Sequence, residues 1–363
     1  MTVLSRRSAL RWIAAGAAVP LVGCSRPTEA SPLLGVQALP PAPQPWPTPD
    51  PFLFCVHHDD AYPLGNDVLG PAAPLDGRDL GMDFTGKDGW RMYHGRRVPG
   101  FPQHPHRGFE TVTVVRRGLL DHSDSLGATA RYGKGDVQWL TAGAGIQHAE
   151  MFPLVDRAAA NPVELFQIWL NLPAADKFAQ PHFSMLWDRV VPRITPPGVT
   201  VTVVAGVLDG VRAAPPPPSS WAAKPASDVA IWTIKLAPRA RFTLPPASAG
   251  ANRWLYHVAG GAYALSGTAV QAQTVATVRA DASVALDGGE TGVELLMLQG
   301  QPIGEPVVQR GPFVMNTKQQ INEAIRDYQT TQFGGWSWAS TEPVHPREAG
   351  RFARRPDGTI ETA

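Results

Sequence analysis

Two short runs near the middle of the chain, His104-Pro105-His106 and His148-Ala149-Glu150, hold residue types that bind metal ions, in each case two positions apart. Side chains alternate between the faces of an extended strand, so residues two apart point the same way and each run offers two donors to one point. Three neutral imidazoles and a carboxylate suit iron(II), manganese, cobalt, nickel, copper or zinc, and they leave coordination positions open for substrate or oxygen. Geometry, not residue type, selects among these metals. A lone histidine is most simply packing, but two such frames beside strand-like sequence point to a metal site.

The elements that must position these pairs are strands. Thr111 to Val115 is β-branched throughout, Val137 to Thr141 resumes the pattern, and Leu165 to Leu170 is apolar at nearly every position, as in a strand buried on both faces. Arg116-Arg117-Gly118 and Gly133-Lys134-Gly135-Asp136 read as hairpin turns. In the second half, Val201–Val207, Val229–Leu236, Trp254–Val258, Thr274–Val278 and Gly292–Leu298 are strand candidates, Tyr256 to Gly261 sits where a duplicated barrel has its hairpin, and Pro215 to Pro218 marks an exposed loop. No H-x-H or H-x-E follows Glu150, so His257 reads as structural. Thr317 and Gln320 form a capping box, with Ile321, Ala324, Ile325 and Tyr328 on one face, which predicts a helix over 317–330 that packs against a barrel. After Gly335 the chain turns polar and arginine-bearing (Arg347, Arg351, Arg354, Arg355) and reads as a loosely attached arm.

The chain's 363 residues accommodate two domains plus extensions. A net charge of +1 with 17% charged residues, and no long basic run, argues against nucleic-acid binding. Ser5-Arg6-Arg7-Ser8-Ala9-Leu10 is a twin-arginine pattern, and the apolar run from Trp12 to Gly23 is too short to span a bilayer, so this segment reads as an export signal. It ends in Leu21-Val22-Gly23-Cys24, which resembles a bacterial lipoprotein box, with membrane attachment through a lipid on Cys24 rather than a spanning helix. Only Cys55 then remains, in the apolar run PFLFCV, so no intramolecular disulfide forms. The twin-arginine route exports folded protein, so a metal loaded in the cytoplasm stays trapped. Prolines recur from Ser25 to Asp50, which predicts a stiff extended tether that does not pair into a sheet; Trp46 within it either packs onto the barrel or touches lipid headgroups.

Four longer stretches carry a family resemblance: GFPQHPHRGFETVTVV from Gly100, GDVQWLTAGAGIQHAE from Gly135, ELFQIWLNLPAADK from Glu164 and GEPVVQRGPFVMNTKQQINEAIRDYQ from Gly304. The chain resembles the pirin family of bicupin proteins from about Pro51 to Phe333. That resemblance implies an all-β fold of two consecutive cupin β-barrels with a C-terminal helix. The expected organisation is a signal peptide over 1–24, a tether over 25–50, a metal-binding barrel over 51–195, a metal-free barrel with the helix over 196–335, and a polar tail over 336–363. Carried over residue by residue, the ligands of one divalent ion, usually iron, are His104, His106, His148 and Glu150. Glu110 stands where many cupins place a ligand glutamate; because His148-x-Glu150 is explicit, Glu110 reads as a supporting residue.

The resemblance also implies quercetin 2,3-dioxygenase chemistry, with a small aromatic substrate such as a flavonol, dioxygen as co-substrate, and Glu150 as both ligand and acceptor of the substrate hydroxyl proton. Phe101, Phe109, Trp139 and Met151 flank the ligand motifs and are either ordinary core or an apolar wall for a flat substrate. The alternative is a non-catalytic metal protein, redox-sensing or ligand-binding, tethered at the cell envelope. The N-terminal reading carries its own test. Lysine at both Arg6 and Arg7 should hold the precursor in the cytoplasm, and Cys24→Ala should move the exported protein from the detergent phase to the aqueous phase; an unchanged partition would overturn the lipid anchor.

Overall fold

Runs of β-branched and aromatic residues, cut by glycine turns, fold as strands through most of the chain, because such side chains pack well on a pleated surface. The computed structural model describes residues 31–363; the twin-arginine pattern, Cys24 and the start of the tether lie outside the described residues. In the N-terminal barrel an antiparallel sheet runs in the order His182–Leu186, Val137–Thr141, Phe109–Arg117, Val163–Asn171, Phe52–Asp60. A second sheet runs Ile360–Thr362, Phe352–Arg354, Thr129–Gly133, Leu119–Asp124, Ile146–Met151, Gly100–His106. Val115, Leu140 and Leu165 from the first pack with Leu120, Tyr132 and Ile146 from the second in one buried core.

The C-terminal barrel repeats the plan. One sheet runs Leu33–Ala38, Thr274–Arg279, Asn252–Gly260, Val293–Gly300, Ala230–Leu236, Val199–Ala205, Arg193–Ile194, and the other Arg241–Leu244, Val284–Asp287, Tyr263–Leu265, Thr268–Val270. A separate apolar layer joins the barrels: Val112, Phe166 and Ile168 meet Ile231, Tyr256 and Leu298. The fold is two cupin barrels followed by one α-helix, Lys318–Thr331. Thr317 Oγ1 accepts from the Gln320 backbone at 3.1 Å, and Gln320 Oε1 accepts from the Thr317 backbone at 3.0 Å, so the capping box is closed. Ile321 and Ala324 bury against Phe313 and Met315, so the helix packs on the short hairpin of Val308–Arg310 and Phe313–Met315.

Three expectations are corrected. The tether pairs after all: Leu33–Ala38 lies between Pro32 and Pro40 with no proline of its own, and joins Thr274–Val278 at the edge of the C-terminal sheet. Trp46 is buried and stacks on Tyr256, ring centroids 5.4 Å apart at 8°. The two N-terminal turns are corners rather than hairpins, since Phe109–Arg117 and Leu119–Asp124 lie in different sheets, as do Thr129–Gly133 and Val137–Thr141. Turn residues signal a change of direction; they do not name the next strand's partner. The third correction concerns the tail, which is no loose arm. Phe352–Arg354 pairs with Thr129–Arg131, and the buried Arg131 bonds Asp121 at 2.7 Å and the carbonyls of His345 and Pro346 at 3.0 and 2.8 Å. Two of the arginines that suggested solvent are anchors: Arg351 bonds the buried Asp136 carboxylate at 2.8 Å, and Arg347 bonds the Leu154 carbonyl at 3.2 Å.

Charge also ties the barrels. Arg116 pairs with Glu164 of its own barrel and with Glu294 of the other, while Lys235 reaches Glu294 at 2.6 Å and His57 reaches Glu164 at 3.2 Å. Burial opposes ionisation of Glu164, but the His57 hydrogen bond and the charges of Arg116 and Arg117 outweigh it, and its carboxyl falls from 4.5 to about 2. Glu294 is lowered too, with burial again overcome by Lys235 and Arg116. A carboxylate depressed in the fold stabilises it fully above its unfolded pKa and loses that contribution as pH falls through the folded value. Arg116→Ala should therefore cost about 2 kcal/mol in urea unfolding at pH 7. The gap to the native chain should narrow as pH drops from 4.5 towards 2. A gap that stays constant over that range would refute the seam's electrostatic role.

Candidate metal centre

Strand Gly100–His106 lies antiparallel to Ile146–Met151 with His104 opposite His148 and Phe101 opposite Glu150. That register brings the two pairs together. The His104, His106 and His148 rings stand 4.4 to 4.8 Å apart by centroid, and one nitrogen from each lies within 4.8 Å of the others.

Each imidazole is set to offer one lone pair. His104 Nδ1 lies 2.8 Å from the Pro102 carbonyl and His106 Nδ1 3.4 Å from the Pro312 carbonyl; a carbonyl only accepts, so Nδ1 carries the proton and Nε2 the lone pair. Both nitrogens of His148 are buried with no hydrogen-bond partner. Leaving such groups unmet costs about 1–3 kcal/mol each, and a metal–nitrogen bond would meet the one that carries the lone pair, so the residues fit a divalent ion. Burial is the main reason all three stay neutral: His104 falls from 6.5 to about 4, and His106 and His148 well below 6.5, helped by the neighbouring imidazoles. Metal binding therefore has no proton to displace near neutral pH.

Glu150 sits at the edge of this cluster, its Oε2 3.8 Å from His148 Nε2. Gln167 Nε2 donates to Oε2 at 2.8 Å, and Gln167 is itself fixed by a 2.6 Å bond from the Thr113 hydroxyl to its Oε1. Burial pushes the Glu150 carboxyl up from 4.5 to about 7, against the pull of His122, Thr113 and Gln167. Glu110 is placed elsewhere. It accepts from Thr141 at 2.7 Å and from Ser220 at 2.5 Å and does not join the histidines.

Residues 81–170 match the Pirin family and residues 231–334 the Pirin C-terminal cupin domain. Human Pirin is 32% identical over 247 residues, 67% of this chain and 80% of that protein. A Pseudomonas aeruginosa protein that carries the provisional name quercetin 2,3-dioxygenase is 35% identical over 255 residues, 69% of this chain and 85% of that one. The chain belongs to the pirin family. Its fold is also that of a crystal structure of quercetin 2,3-dioxygenase from Acinetobacter baumannii, with a TM-score of 0.63, 28% identity, and coverage of 79% of this chain and 87% of that one. These relatives and the three-histidine cluster together imply a divalent metal at the centre of this pirin.

A cavity of about 760 Å³ opens onto the centre, lined by His104, His106 and Glu150 together with Phe54, Phe101 and Trp169. Of the four aromatic and apolar candidates flanking the motifs, only Phe101 reaches it. Met151 follows Glu150 and so faces the other side of its strand, Trp139 joins the layer between the barrels, and Phe109 packs behind His106 on Trp169. The residues missed are Gln167 and Trp169, whose two-residue spacing on an otherwise buried strand is the available signal, and Pro312, for which sequence holds no signal at all.

Alanine at His104, His106 or His148 should drop metal content well below one ion per chain while circular dichroism stays native, because the buried core lies apart from the ligand pairs. Glu110→Ala should keep the metal and cost about 1–3 kcal/mol, since two hydroxyls lose their acceptor. Full metal in a His148→Ala/Glu150→Ala double variant would reject this centre.

Proposed function

We propose that this pirin is an iron(II)-dependent dioxygenase acting on flavonol-like, quercetin-type or related aromatic substrates. The observation that carries the reading is the cavity: room for a small polycyclic ligand, aromatic walls, and the neutral imidazoles of His104 and His106 with the buried Glu150 carboxylate in its lining, His148 completing the histidine cluster beside them. Phe54, Phe101 and Trp169 offer ring faces and edges to a flat substrate and keep water from it. When bound, the metal supplies Lewis-acid and one-electron chemistry between an electron-rich ring and dioxygen.

Glu150 is the group suited to take the substrate hydroxyl proton. Burial raises its carboxyl above the usual carboxylate range, which makes it a stronger proton acceptor than an exposed glutamate. Gln167 holds Oε2 and Thr113 holds Gln167, so the carboxylate cannot swing away as it accepts the proton. Export by the twin-arginine route and a lipid on Cys24, placing the barrels in the periplasm or on the envelope, complete the proposal and rest on the sequence alone.

Iron-loaded protein should consume oxygen with 3-hydroxyflavone and release a ring-cleaved product. Glu150→Gln should slow turnover by about 10²-fold or more at equal metal occupancy, because an amide keeps a ligating oxygen but cannot take a proton. Tight flavonol binding with no oxygen uptake would replace the enzyme with a ligand-binding protein.

A further inference from the structure

His58 shares the cavity wall with Phe54 and Val56, the alternating residues of strand Phe52–Asp60 that face the opening. Its Nδ1 lies 2.7 Å from the Tyr93 hydroxyl, which donates to Asp60 Oδ2 at 2.7 Å; Arg91 Nη1 donates to the other Asp60 oxygen at 2.9 Å. Tyr93 and Asp60 are fully buried. One hydroxyl carries one proton. Since Asp60 takes it, the Tyr93 oxygen has only a lone pair left for His58, which fixes the proton of His58 on Nδ1 and the lone pair on Nε2. Among the described residues Nε2 has no hydrogen-bond partner, and it is not one of the sealed polar atoms, so it opens to the cavity.

The loop that delivers Tyr93 is built to hold this arrangement. Tyr93 has φ 55°, a left-handed conformation that costs a bulky residue on the order of 1–3 kcal/mol. Asp83 exchanges two backbone hydrogen bonds with it, at 2.9 and 3.0 Å. Arg78, buried beneath, bonds Asp83 at 2.9 Å and the carbonyls of Trp90 and Lys87 at 2.9 and 2.7 Å, and lies 3.3 Å over the Trp90 ring. Strain held this firmly marks a position whose geometry matters.

We propose that His58 Nε2 is a hydrogen-bond acceptor for a ligand hydroxyl other than the one presented to the three imidazoles, so that the cavity selects polyhydroxylated aromatics over the same ring system without that hydroxyl. Electrostatics agree with the geometry. Burial, with the charges of His57 and Arg91, lowers His58 to about 3, so it stays neutral; burial raises Asp60 to about 6 despite Tyr93 and Arg91, so above that pH it is the acceptor this chain of bonds needs. The inference rests on the proposed aromatic substrate class.

The test uses zinc-loaded protein with ¹⁵N-histidine, whose nitrogen resonances report each tautomer directly, and quercetin against 3-hydroxyflavone as probes. At pH 7 His58 should be the Nδ1–H tautomer, its Nε2 resonance should move on quercetin binding, and quercetin should bind about tenfold tighter than 3-hydroxyflavone. His58→Phe should abolish that preference, lowering quercetin affinity about tenfold more than 3-hydroxyflavone affinity, and Tyr93→Phe should leave the His58 tautomer mixed. An Nε2–H tautomer in the native protein, or quercetin that moves the ligand-histidine resonances and not that of His58, would overturn the role of His58 and leave the substrate class standing. Quercetin that moves no histidine resonance would overturn the substrate class and this role together.

Discussion

The centre depends on one cross-strand register, His104 opposite His148. A slip of one residue would turn every side chain of a strand to its other face and scatter the donors, so whatever fixes that register fixes the site. Gly100, at the start of the ligand strand, does part of it, and Gly108, just past its end, seats the strand against the hairpin of Val308–Arg310 and Phe313–Met315. Gly100, at φ 131°, passes so close to the opposite strand that a Cβ would meet the Glu150 carbonyl at 2.4 Å, and at Gly108, φ 87°, a Cβ would meet the Val314 carbonyl at 2.0 Å. The irregularity between Phe101 and His104 does the rest, shifting the pairing so that Phe101 faces Glu150 and enters the cavity wall.

Distant segments then lock what the register assembles. The Pro312 carbonyl, 206 residues along the chain from His106, sets that ring's tautomer. Arg107 joins the same neighbourhood to the helix through Asp327 at 2.7 Å and to the Ala144 carbonyl at 2.6 Å. The two ends of the described chain cross over: Leu33–Ala38 completes the C-terminal barrel's sheet, and Phe352–Thr362 extends the N-terminal barrel's. Each barrel is therefore finished by chain from the far end of the sequence, which makes the metal centre a property of the whole fold rather than of the barrel that carries the histidines.

Sequence disclosed what is local and periodic. The two-residue spacing of the ligand pairs, the run Val137 to Thr141, and the capping box of Thr317 and Gln320 appear in the structure where their physics puts them. Pairing partners were illegible for a plain reason: glycine at 118 and 135 announces a bend, while the sheet on the far side is decided by contacts with strands far along the chain. Composition misled in the same way at both ends. Proline counts hid the seven proline-free residues from Leu33 to Leu39, which hold the whole strand Leu33–Ala38, and Arg347 and Arg351 looked like solvent-seeking charge although their partners are the carbonyls of Leu154 and Val155 and the buried Asp136 carboxylate.

Two glutamates compete for the same role on paper, and charge separates them. Burial raises both Glu110 and Glu150 to about 7, so each fits its surroundings only if the cost of its charge is met or the charge is absent. Glu110 is answered by neutral donors, the hydroxyls of Thr141 and Ser220, one on each oxygen. Glu150 has one amide donor at 2.8 Å from Oε2, a longer hydroxyl contact at Oε1 and, 3.8 Å from the same Oε2, an imidazole whose two nitrogens have no hydrogen-bond partner. A carboxylate short of positive charge beside an imidazole lone pair without a partner is a pair of deficits that a single divalent cation would correct, and among the two glutamates only Glu150 lies beside the three histidines.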